Sequence, residues 1–163
     1  MLKNLFTLTL LGLLACTSQT FASVEGEINL ILKQTEAPSG VVFEIVEGDE
    51  ASLEWAIPQV KKQAERLRKR FPGLDIAVVS HGKEQFALET SKQENYQSVH
   101  QSVKQLTTQE DIPVHVCGTH ASWYGKTEGD FPDYVDVVPA GPVQIRQYED
   151  LGFILVTLEK PRK

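Results

Sequence analysis

Val41-Val42-Phe43-Glu44-Ile45-Val46 is rich in β-branched residues and apolar everywhere except Glu44. A strand with one wet face alternates polar and apolar positions. A nearly unbroken apolar strand needs cover on both faces, which is the setting of a parallel sheet between helices. Glu47-Gly48-Asp49-Glu50 ends the run as a turn, with acidic residues suited to the first turn of a helix. Leu53, Ile57, Val60, Ala64, Leu67 and Phe71 then recur at steps of four and three, the spacing of one buried helical stripe, and Pro72-Gly73 stops it. Leu74 to Ser80 reads as a second strand, closed by His81-Gly82. Tyr96, Val99, Val103 and Leu106 mark a second helix, which passes through a turn ending Glu110-Asp111 into a third strand, Pro113-Val114-His115-Val116-Cys117. Strand, helix, strand, helix, strand is the rhythm of right-handed parallel crossovers.

Beyond Cys117 lies the longest irregular stretch, Trp123 to Asp133, of a length that is often functional in compact domains. Val135 to Val138 reads as a fourth strand and Pro139-Ala140-Gly141-Pro142 as a turn. Val143 to Leu151 reads as a short helix with Ile145, Tyr148 and Leu151 inward. Gly152 suits the position just past the helix, and Phe153 to Leu158 forms a fifth strand. The expectation is one α/β domain over residues 40–163 with a mostly parallel five-stranded sheet. Residues 23–39 precede it as an extension packed loosely against the body.

Residues 1–22 read as an export signal. A short basic start precedes an apolar run from Leu5 to Ala15, and Thr20-Phe21-Ala22 before Ser23 fits a small-residue cleavage site. Leu13-Leu14-Ala15-Cys16 also fits a lipoprotein box, which would leave a lipidated Cys16 as the N-terminus. The periplasm is the expected location, with lipid anchoring through Cys16 as the alternative. The chain of 163 residues has a formal charge of -6, which argues against nucleic acid as partner, since phosphate binding needs a clustered cationic excess. The basic run from Lys61 to Arg70 is interleaved with the apolar stripe and reads as a solvated helix face.

Of two cysteines, export processing removes or lipidates Cys16, so Cys117 stands alone and no intramolecular disulfide can form. A lone thiol at a strand end, followed by Gly118, sits where α/β sheets place reactive groups. A helix or a nest of N–H groups over Gly118 to Trp123 would favour the thiolate. His120 and His81 are candidates to line the same crevice with Gly118, His81 chiefly by ordering its loop. His115 and Cys117 share a strand face, and with His120 they make an alternative metal set for copper or zinc. His100 falls beside Val99 on a helix and is expected to be half exposed. Trp123 and Tyr124 either wall the pocket or anchor the long loop. No cofactor is expected.

The order of these motifs carries a resemblance. A first strand near Val41, His81-Gly82 after the second, Cys117-Gly118 after the third, then Val138-Pro139-Ala140-Gly141 leading to a helix and Gly152-Phe153, is similar to the DsrE/DsrF-like family of sulfur-relay proteins. The resemblance spans Val41 to Leu158. It implies a flavodoxin-like three-layer fold and a homo-oligomer, trimer or hexamer. It also implies a persulfide carried on the cysteine after the third strand, a position that Cys117 matches. Those relays are cytoplasmic, so export sets this chain apart and leaves its sulfur donor and acceptor proteins open. A carrier is expected rather than a turnover enzyme. The alternatives are a periplasmic metal-binding module using His115, Cys117 and His120, and an oligomeric interaction protein in which Cys117 is buried.

Overall fold

The computed structural model describes residues 23–160. The leader readings, including lipidation at Cys16 and cleavage after Ala22, lie outside the described residues. Five strands form one all-parallel sheet: β1 (Gly40–Ile45), β2 (Asp75–Ser80), β3 (Val114–Cys117), β4 (Asp136–Val138) and β5 (Phe153–Leu158). Their spatial order is β4-β3-β2-β1-β5. The helices are α1 (Val24–Leu32), α2 (Ser52–Arg70), α3 (Gln97–Gln109), α4 (Gly118–Trp123) and α5 (Gly141–Asp150). This is a three-layer, flavodoxin-like α/β fold. Among the described residues no helix is long and apolar enough to cross a membrane.

The topology follows from handedness. From β1 to β4 the chain steps along the sheet in one direction, so right-handed crossovers place the connecting helices on one face. The return from β4 to β5 runs the other way, which puts α5 on the opposite face. The two faces are unequal. The first packs Phe43, Ile45, Val78, Val114 and Val116 against the α2 stripe Leu53, Ile57, Val60 and Leu67 and the α3 residues Val99, Val103 and Leu106. The second is a small cluster of Val42, Ala77, Val79 and Ile145, flanked by Tyr148, Phe153 and Leu155. Tyr148 ties α5 to the sheet through a 2.8 Å hydrogen bond between its hydroxyl and His115 Nε2.

Three expectations need correction. Residues 23–39 are not a loose extension: α1, capped by Ser23, buries Ile28 and Ile31 in the main core. The basic run is not merely solvated. Lys62 and Arg66 hold Glu25 of α1, while Arg68 donates to the carbonyls of Leu74 and Glu110. Finally, His100 is 2% exposed rather than half exposed, with Nδ1 bonded to the Tyr134 hydroxyl at 2.6 Å and Nε2 to the Ala87 carbonyl at 2.9 Å. It lies three residues before Val103 on the same stripe, whose width exceeds the narrow seam that Val99, Val103 and Leu106 trace.

Two measurements test this packing. Leu53→Ala, at a fully buried α2 position, should lower unfolding stability in urea by about 3 kcal/mol. Leu30→Ala, at a position 65% exposed, should change it by less than about 0.5 kcal/mol. Burial pushes the titration of His100 and His115 below the ordinary 6.5, although Asp136 opposes this at His115 and the Ala87 carbonyl at His100. The folded protein therefore binds fewer protons than the unfolded chain just below that value, and stability falls as pH drops through it. The melting temperature should decline from pH 7.5 to 5.5, and His115→Gln should flatten the decline; an unchanged slope would remove His115 from this linkage.

Candidate functional site

The carboxyl ends of β1, β2 and β3 are held together by two adjacent side chains on a 3-10 segment, Lys83–Leu88, directly after β2. Glu84 and Gln85 are both fully buried. The Glu84 carboxylate accepts from the Ser80 hydroxyl at 2.7 Å, the Gly82 amide at 2.9 Å and the Glu47 amide at 2.6 Å, joining the end of β2 to the loop after β1. Gln85 reaches β3: its Oε1 accepts from the Cys117 amide at 2.7 Å, and its Nε2 donates to the Cys117 carbonyl at 3.4 Å. The pairing of β2 with β3 ends at Ser80 and Val116. Cys117 thus stands one residue past its neighbour strand, and the Gln85 amide takes the place of the missing strand residue.

Cys117 is also the N-cap of α4, with extended backbone at φ -83° and ψ 108°. Its Sγ accepts from the His120 amide at 3.4 Å, within the longer range of sulfur acceptors. The expected helix over Gly118 to Trp123 is present and supplies that donor. A Cβ on Gly118 would stand 3.0 Å from the Val138 carbonyl oxygen, so a glycine lets α4 start hard against β4. Cys117 as a whole is 5% exposed.

His120 and His81 meet at this edge. His120 Nδ1 donates to the His81 carbonyl at 2.8 Å, and its ring lies edge-on to Phe86, Trp123 and Tyr124, with centroids 5.4, 5.5 and 5.4 Å away. The His81 imidazole turns elsewhere: Nε2 meets Glu44 Oε1 at 2.9 Å, and Glu44 Oε2 accepts from the Thr157 hydroxyl. The His81 hydrogen bond and the Thr157 hydroxyl hold the Glu44 carboxyl below its ordinary 4.5 against the opposing effect of burial. Gly141 admits the ring, since a Cβ there would sit 2.6 Å from His81 Cβ. The loop-ordering part expected of His81 is therefore performed by its main chain, and its side chain links the end of β2 to Glu44 on β1, which in turn bonds Thr157 on β5.

The alternative metal set does not converge. His115 is engaged with Tyr148 and has its Nδ1 3.5 Å from Asp136 Oδ2, while the His120 ring leans toward β2. Among the described residues no group of three His, Cys, Asp or Glu side chains is placed to hold a metal ion. Trp123 and Tyr124 are 74% and 49% exposed and do not anchor the long loop. That task falls to buried Phe131 and Val135, to a Thr127–Asp130 capping box, and to Lys126, which is paired with the buried Glu89 carboxylate. Glu84 and Gln85 lie in residues 83–95, where neither helical nor strand periodicity marks an element. Two consecutive polar residues before Phe86-Ala87-Leu88 give no periodic signal that both are interior.

The connections leaving the carboxyl ends of the strands diverge between β3, followed by α4 on the first face, and β4, followed by α5 on the second, which makes β3/β4 the topological switch point. Cys117, paired with Val138, stands at the edge of that crevice, where the Gln85 clamp and the α4 cap fix it. No protein-family model matches the chain, and no curated protein sequence does. Solved structures do. The protein of unknown function MTH1491 from Methanobacterium thermoautotrophicum superposes with a TM-score of 0.57 over 72% of this chain and 97% of its own, at 21% identity. The ychN protein from E. coli gives 0.53 over 73% and 99%, at 17% identity. The conserved protein of unknown function BT1422 from Bacteroides thetaiotaomicron gives 0.50 over 72% and 94%, at 12% identity. At these identities the likeness establishes the fold alone.

Proposed function

We propose that this chain is an exported sulfur carrier in which Cys117 takes up sulfane sulfur as a persulfide and passes it on by thiol exchange. The observation that carries the reading is the handling of Cys117: its main chain is clamped on both sides by Gln85, and its Sγ receives the His120 amide. Any buried residue at this strand end would need main-chain partners, so the contact that concerns the sulfur is the His120 amide. The N–H donor fixes the direction of the sulfur, whose thiolate is the form that attacks sulfur. The resemblance to sulfur-relay proteins supports the same residue, and the leader sequence supports the periplasm. By the same resemblance the working form is a homo-oligomer, a trimer or hexamer.

Loading needs no oxidant. The Cys117 thiolate attacks a sulfane sulfur of an inorganic polysulfide, one S–S bond forms, another breaks, and the shortened polysulfide leaves with the electron pair. The 5% exposure of Cys117 restricts the donor to a slim species of this kind. Once loaded, the outer sulfur stands about 2 Å beyond Sγ, one S–S bond length farther from the clamp. The chain then acts stoichiometrically, as a carrier without turnover of its own.

The same low exposure favours one competing reading, an oligomeric interaction protein in which Cys117 only fills space. Intact mass after polysulfide treatment separates the two. The carrier reading expects a gain of one or more sulfur atoms that reductant removes and that Cys117→Ser abolishes. An unmodified thiol after the challenge would sink the carrier reading and leave the scaffold.

A further inference from the structure

The His81 carbonyl can only accept a hydrogen bond, so the His120 Nδ1 bonded to it must carry the ring proton. In the neutral ring this leaves Nε2 as a lone-pair acceptor. Nε2 has no hydrogen-bond partner among the described residues and is not among the buried polar atoms lacking one, so it reaches solvent. Three aromatic side chains surround this ring, and its own amide touches Cys117 Sγ. A histidine of fixed tautomer, with its basic nitrogen turned outward, thus borders the thiol.

The chemistry of a thiol acceptor indicates what it would act on. A free thiol, with an ordinary pKa of about 8.5, is mostly protonated at neutral pH and must lose that proton at the site before it becomes a nucleophile.

We propose that His120 Nε2 is the base that takes this proton, making the acceptor of Cys117-borne sulfur a small thiol. This rests on the carrier reading above. The acceptor R–SH gives its proton to Nε2, and R–S⁻ attacks the outer sulfur of the protonated Cys117 persulfide. The new S–S bond yields R–S–SH as the old one breaks, and Cys117 leaves as thiolate with the electron pair. The imidazolium proton returns to Cys117, which restores both groups. Atoms and electrons balance without an oxidant. The titratable neighbours are Cys117 and Tyr124 at the two ends of α4 and His81 after β2, whose imidazole is bonded to Glu44. Glu84, on the adjoining 3-10 segment, is occupied by Ser80, Gly82 and Glu47.

The test loads the full chain with polysulfide, removes the excess, adds free cysteine, and follows loss of the extra sulfur by mass from pH 5 to 9. The wild type should transfer faster as pH rises through this range. Relative to the sulfur it carries, His120→Gln, whose side-chain amide can still donate to the His81 carbonyl, should transfer about a hundredfold more slowly near pH 7 and show a changed pH profile. Equal transfer with an unchanged profile would overturn the base while leaving the carrier intact. Failure of the wild type to load would overturn both. Independently of any variant, nitrogen NMR of wild-type His120 should show the proton on Nδ1, and a proton on Nε2 in the neutral ring would refute the assignment.

Discussion

A buried carboxylate and a buried carboxamide, side by side on one irregular turn, hold the carboxyl edge of this sheet together. Glu84 is stable in the interior because hydrogen-bond donors from Ser80, Gly82 and Glu47 surround it; an unpaired carboxylate there would carry a desolvation cost of several kcal/mol. Gln85, the next residue, satisfies both main-chain groups of Cys117. Consecutive residues on a 3-10 turn project in different directions, so one short segment can serve the ends of three strands. Without it, the loop after β1, the end of β2 and the cysteine at the end of β3 would each need other partners for buried polar groups.

That clamp accounts for the geometry at Cys117. The residue stands past the last paired position of β2, at the start of a six-residue helix too short to be stable by itself. Its neighbours fix it instead: Gln85 holds the main chain, Gly118 lets α4 begin against Val138, and His120 closes over from α4 to the His81 carbonyl. The histidines then divide their work according to what each ring meets. His81 bridges to Glu44 and His115 ties α5 to the sheet through Tyr148. His100 links α3 to Ala87 and Tyr134, and His120 closes onto the His81 carbonyl beside the thiol.

The unequal faces of the sheet have a topological cause. Among the described residues only the β4 to β5 return sends a helix to the second face, so the cover there is α5. This is why Val42, Ala77, Val79 and Ile145 form a small cluster; Val143 of α5 remains 42% exposed, and Leu151 just past its end, expected inward, is 67% exposed.

Periodicity made the five strands, the α2 stripe, the inward face of α3 and the place of Cys117 before Gly118 legible in the chain, because they depend on the local repeat of apolar residues and on glycine and proline punctuation. The burial of Ile28 and Ile31 was not legible: a nine-residue helix shows little periodicity, and its partners on α2 and β5 are distant in the chain. Nor was the burial of His100, whose partners Ala87 and Tyr134 come from other segments. The sequence by itself determined an α/β chain with a cysteine at a strand end, since both follow from residue type and spacing along the chain. Only the tertiary structure decided that Glu84 and Gln85 lie inside, that His115 and His120 part company, and that His120 keeps its proton on Nδ1, because each depends on which distant backbone groups a polar side chain meets once it is buried.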